Sequence, residues 1–210
     1  MLEDLSKKLL VWKSHSSIDV SQFRETSYKP LNEILPGGGW PEHGMTEILS
    51  ERVGMGALRL LLPVIARVTG GQKKVICIDP PYIPYYSGLF SEGLDLSNFI
   101  VINPPLQITS RDREILKIYE DSLKVEDCSI ALIWLSKISF KDSRRLQLAA
   151  LACKTWGVIF LPADVASVSS SSPLRVGLES VSLASGFRNL KVRILKARGR
   201  SEGRSVLLKL

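Results

Sequence analysis

No C-x-x-C pair, no cluster of histidines and no apolar run of the roughly 18 residues that a membrane helix needs occurs in this chain. The cysteines Cys77, Cys128 and Cys153 are scattered among apolar neighbours, so they read as buried, reduced thiols rather than a disulfide or metal framework. His15 and His43 have no neighbouring spacing that would make either a general base or a metal ligand. The first ten residues mix acidic and basic side chains, unlike a secretory leader, so a cytoplasmic location without membrane contact is expected. Among aromatics, only Phe187 falls in the basic C-terminal segment, which gives little support to base stacking there.

A further absence is a single lysine. Residues Thr46 to Leu58 read as a strand, a glycine-bearing turn and a helix start, the layout of a phosphate-binding loop. In such a loop backbone N–H groups cradle phosphate, lysine neutralises it and a hydroxyl holds magnesium. Aligned on Gly56, the first glycine has become Glu51, the lysine Ala57 and the hydroxyl residue Leu58. The strand 129–135 ends in Trp134-Leu135-Ser136 without an aspartate, and the strand ending at Asp79 runs into Pro80-Pro81-Tyr82, where a catalytic glutamate would sit. Losing all three elements argues against ATP hydrolysis, and no cofactor and no catalytic residue is assigned. Gly54 and Gly56 could still offer N–H groups to an anion, or could merely permit a tight turn; Glu51 opposes an anion and favours the turn.

What is present fits one compact domain with a short appendage: 45% apolar and 23% charged residues in 210. Apolar positions Leu2, Leu5, Leu9 and Trp12 fit one helical face, and residues 1–29 are read as an N-terminal helix and connector. Residues 30–164 alternate strands (45–49, 74–79, 99–102, 129–135, 157–161) with helices (57–68, 84–92, 110–123, 142–154), which predicts an α/β fold with a mostly parallel sheet flanked by helices. Asp142 is the expected cap of the last helix, and Pro63 predicts a kink or a late start in the first. Residues 165–210 open with a serine-rich stretch and then give strands near 174–182, 189–196 and 204–209, a C-terminal antiparallel meander continuing the same sheet.

Charge is uneven. From Pro173 onward nine Lys/Arg face two Glu, a balance of +7 that equals the net charge of the whole chain. Lys191 and Arg193 alternate with apolar residues, and Lys196, Arg198, Arg200 and Arg204 cluster around the last turn. Such a patch could contact DNA phosphates weakly, or could be a solvated edge that deters aggregation. Two aromatic loops are candidate partner contacts: Pro36-Gly37-Gly38-Gly39-Trp40-Pro41, with Trp40 as a surface anchor or a cap on the sheet, and Pro80 to Tyr86, with Tyr82 and Tyr85.

The element order resembles the RecA core. More specifically, Pro36 to Pro41 with Gly44-Met45-Thr46-Glu47-Ile48-Leu49, Ser50 to Pro63, Gly93 to Ser97, Trp134-Leu135, Arg144 to Ala150 and Pro173-Leu174-Arg175 resemble the ImuA family, RecA-like proteins related to SulA. The resemblance covers about residues 30–196 and implies an SOS-regulated, non-catalytic accessory role in translesion DNA synthesis and damage tolerance. The partner it implies is an ImuB-like Y-family polymerase protein, with RecA and an error-prone DNA polymerase III alpha-type subunit as further partners. The alternative it leaves open is a SulA-like cell-division inhibitor that binds FtsZ. Calorimetry with ATP and magnesium is expected to give no micromolar binding; binding that is lost on mutating Gly56 would contradict the reading of the altered loop.

Overall fold

The computed structural model describes residues 23–52, 56–105, 111–182, 188–197, 202–209. The expected N-terminal helix therefore lies outside the described residues. A short pairing comes first: β1 (Phe23–Arg24) runs antiparallel to β2 (Trp40–Pro41), with helix α1 (Lys29–Ile34) between them. The main body is an eight-stranded sheet. In chain order it contains β3 (Gly44–Ser50), β4 (Lys74–Ile78), β5 (Phe99–Ile102), β6 (Cys128–Trp134), β7 (Trp156–Pro162), β8 (Leu174–Ser182), β9 (Arg188–Lys196) and β10 (Ser205–Lys209). The spatial order is β10-β9-β8-β3-β7-β6-β4-β5; β8 through β5 are parallel, and β9 and β10 add antiparallel. This is the expected α/β sheet with its C-terminal meander.

Side-chain alternation divides the core into two layers. Along β4, Val75 and Cys77 face one layer while Ile76 and Ile78 face the other, so the strand is apolar on both sides as a buried parallel strand must be. Helices α1, α2 (Ala57–Gly70) and α3 (Tyr86–Ser91) cover the first face through Leu31, Leu60, Leu61, Ile65 and Leu89. Helices α4 (Arg111–Leu123) and α5 (Phe140–Ala152) cover the second through Ile115, Tyr119, Leu123, Leu146 and Ala150. Gly157 is the fitting point of this layer. A Cβ there would collide with the Met45 sulfur and lie 2.7 Å from the Tyr119 hydroxyl, which donates to the Ala131 or Val158 carbonyl, each at 3.3 Å.

Two local expectations give way. Helix α2 does not start late: it begins at Ala57 and continues past Pro63, and the carbonyl that loses its donor belongs to Arg59, on the exposed side where water can serve. The cap of α5 is Ser139 rather than Asp142. Ser139 Oγ accepts from the Asp142 N–H at 3.0 Å, and the two side chains lie 2.6 Å apart, an acid variant of the capping box. Cys77 and Cys128 are buried, their thiols pushed up to about 12 by desolvation, but Cys153 at the end of α5 is exposed.

The join between the parallel part and the meander carries charge. Glu47 of β3 and Arg175 of β8 are direct register partners, and both are buried. Arg175 Nε donates to Glu47 Oε2 at 2.7 Å, while its remaining nitrogens donate to the carbonyls of Val165, Ala166 and Val168. The other carboxylate oxygen of Glu47 accepts from Ser172 Oγ at 2.8 Å and from Ser170 Oγ. A carboxylate taken out of water needs this many partners. Removing one partner alone, Arg175→Met, is expected to cost about 3–5 kcal/mol in urea unfolding, with the Glu47→Leu/Arg175→Met pair recovering most of it. Equal loss in the single and double variants would contradict that.

A candidate partner-binding trough

In parallel α/β sheets, loops at the carboxyl ends of the strands form the crevice in which ligands sit. Here β3 leads through Glu51 to Gly56 and α2, β4 leads through Asp79 into the loop 80–85, and β6 and β7 end at Trp134 and Pro162. Gly56, the helix N-cap, has φ 94°, a conformation that favours glycine, so the turn alone accounts for it; Gly54 lies outside the described residues. These strand ends line a cavity of about 570 Å³. A groove of about 560 Å³ adjoins it, between the start of α2 and the 80–89 segment. The two share Ala57, Pro80, Pro81 and Trp134, so they form one continuous trough.

The cavity end is polar. Asp79, at φ 48°, accepts from Arg111 Nη2 at 2.7 and 3.0 Å, and Arg111 Nη1 is buried without an acceptor among the described residues. Glu51 is exposed at the cavity rim and forms no ion pair among the described residues. Ala57 lines the wall where a lysine would face a phosphate. Trp134 stacks on Phe160, ring centroids 4.4 Å apart, forming an aromatic wall.

The groove end is apolar. Tyr82 (69% exposed), Ile83 (83%) and Tyr85 (76%) stand out from it, and Phe90 of α3 is also exposed. Pro80, Pro81 and Pro84 fix φ along the loop, so these side chains are displayed from a backbone with little freedom left to lose. Gly88 leaves room for Tyr85 across the helix, since a Cβ there would lie 2.8 Å from its ring.

Other expected site residues are placed elsewhere. Trp40 is not a surface anchor. It is fully buried and stacks on Trp156 at 5.6 Å, because a large indole gains most from leaving water. The glycines before it serve close packing: a Cβ on Gly37 would collide with the Phe23 ring, and one on Gly39 with the Arg24 carbonyl. Lys191 and Arg193 do share a sheet face, with Lys191 paired to Glu179 at 2.9 Å and Arg193 exposed. Lys196 donates to the Ser170 carbonyl at 2.6 Å and Arg204 to the Glu33 carbonyl at 3.5 Å, so both touch protein. Arg198 and Arg200 lie outside the described residues. Sequence reasoning assigned no role to Arg111 or to the Glu47–Arg175 pair. Arg111 carried no local signal; the pair did, as an acid and a base each flanked within its strand by positions that read as core.

No helix of the described residues is long and apolar enough to cross a membrane, and no group of three or more metal-ligating side chains occurs among them. No family model matches the chain. It is 29% identical over 120 residues to the cell division inhibitor SulA of Photorhabdus laumondii subsp. laumondii, which supports a relationship to SulA. The match covers 57% of this chain and spans 65% of that protein, just under two thirds of its length.

Burial separates the two aromatic loops energetically. Trp40→Ala is expected to cost about 3–5 kcal/mol in denaturant unfolding, and Tyr82→Ala or Tyr85→Ala no more than about 0.5 kcal/mol. A comparable loss at Tyr85 would place it in the core instead.

Proposed function

We propose that this chain is a non-catalytic protein of the SOS response that works by binding a protein partner, and that it inhibits cell division in the manner of SulA. The likeness to a cell division inhibitor supports the cellular role. The observation that carries the mode of action is the exposed Tyr82-Ile83-Tyr85 cluster on a proline-stiffened loop beside an apolar groove. Exposed aromatics in this number incur a solvation cost that a monomer without partners has no reason to retain. The altered phosphate loop supports a role without ATP turnover: at the cavity Glu51 repels a triphosphate, and Ala57 offers no cation where one is needed. On this reading the division protein bound is FtsZ.

A second reading keeps the same trough with another partner, an ImuB-like polymerase protein, in translesion synthesis. The Pro36–Pro41 motif, the N-terminal segment and the basic C-terminal segment favour it, through the ImuA resemblance. RecA and a polymerase III alpha-type subunit would then belong to the same assembly, and Arg193 with its neighbours could add weak DNA contact. Co-expression with FtsZ and with the ImuB-like protein of the same organism, followed by size-exclusion chromatography, separates the two. Co-elution with FtsZ, and filamentous growth on overproduction that Tyr82→Ala/Tyr85→Ala abolishes, is the expected outcome. Co-elution with the polymerase-like protein alone, without filamentation, would replace the inhibitor by the adaptor.

A further inference from the structure

The polar end of the trough has the wrong charge for a nucleotide, yet it is not closed. Its rim carries Glu51, which forms no ion pair among the described residues, and its wall carries the Trp134 indole backed by Phe160. Glu92, also without an ion pair among the described residues, lies on the rim of the groove end. Arg59 lines the groove end with Glu92 and offsets that carboxylate, and Asp79 is matched by Arg111, so the uncompensated charge is that of Glu51 at the cavity end. An indole face and a carboxylate together suit an ammonium or guanidinium group. Next to this lies the apolar groove of Leu58, Leu62, Tyr82 and Tyr85, continuous with it through Ala57 and Trp134.

We infer that the cavity corresponding to a phosphate site takes a lysine or arginine side chain of a partner polypeptide, while a neighbouring large apolar residue of the same segment fills the groove. The occupant is therefore a basic-apolar protein segment. Glu51 supplies the opposite charge, the Trp134 face supplies cation–π attraction, and Tyr82 and Tyr85 close over the apolar residue. This rests on the trough being the partner surface, and it adds which chemistry the partner must present. Substituting lysine for Glu51 reverses the field at the rim without touching the core, because Glu51 is exposed.

Selection of a random peptide library, displayed on phage, against the full chain tests this without a partner identified beforehand. Enriched peptides are expected to place Lys or Arg beside, or one residue from, a large apolar side chain. Synthetic copies should bind about tenfold or more weakly to Glu51→Lys than to the unaltered chain, and lose less with Glu51→Gln. Exchanging the peptide's basic residue for glutamate should restore affinity for Glu51→Lys, a recovery that a merely misfolded variant could not give. Acidic enriched peptides, or apolar ones indifferent to Glu51→Lys but lost with Tyr85→Ala, would overturn the charge assignment and leave the trough as the partner surface. Peptides unaffected by Tyr85→Ala, or no enrichment at all, would overturn the inference; whether the partner surface itself has failed is then read from co-elution with the Tyr82→Ala/Tyr85→Ala variant.

Discussion

The buried Glu47–Arg175 pair is the constraint on which the rest of this fold depends. It lies between β3 and β8, the last parallel pairing before the sheet turns antiparallel at β9. Arg175 gathers three carbonyls of the 165–168 segment, and Glu47 gathers the hydroxyls of Ser170 and Ser172. The crossover from β7 to β8 is thereby pinned to the sheet by polar contacts, and the Ser143 hydroxyl of α5 fastens it again at Ser170 and Ser171. A charged pair in a sheet interior adds less net stability than an apolar pair would, but it tolerates one register only. With β8 fixed, β9 and β10 follow by antiparallel pairing.

The same rigidity shapes the opposite property at the strand ends. Both faces of the sheet are packed, so the loops after β3, β4, β6 and β7 converge on one trough. Its cavity end has the position of a nucleotide site with a carboxylate at the rim and alanine on the wall, and its groove end displays tyrosines on a proline-stiffened loop. On the proposed reading the trough takes a polypeptide rather than a triphosphate. Little reorganisation is needed to bind one, since prolines and a packed helix already hold the aromatic side chains.

Much of the architecture was legible from periodicity. β4 and β6 stand out as double-sided apolar runs, and the meander is marked by glycine turns and alternating charge. Less legible was anything decided by residues far apart in the chain. Trp40 and Trp156 are separated by most of the parallel sheet in sequence, so their stacking left no local trace and Trp40 read as a surface anchor. Nothing local marks Gly37 and Gly39 as packing positions, yet Phe23 and Arg24 lie against them. Tyr82 and Tyr85 stand among three prolines, a local signature of a loop, and both are exposed. Arg111 was invisible as a site residue because only the sheet order brings α4 beside the end of β4.

Photo-cross-linking in DNA-damaged cells tests most directly whether this chain acts through its trough. A photoreactive amino acid at Tyr85 is compared with one at Leu148, which is exposed on the outer side of α5 and away from the trough lining. A discrete adduct with one protein from Tyr85, absent from Leu148 and absent without damage, is the expected result. An adduct from Leu148 alone, or none from Tyr85 while the chain is in complex with its partner, would contradict the account.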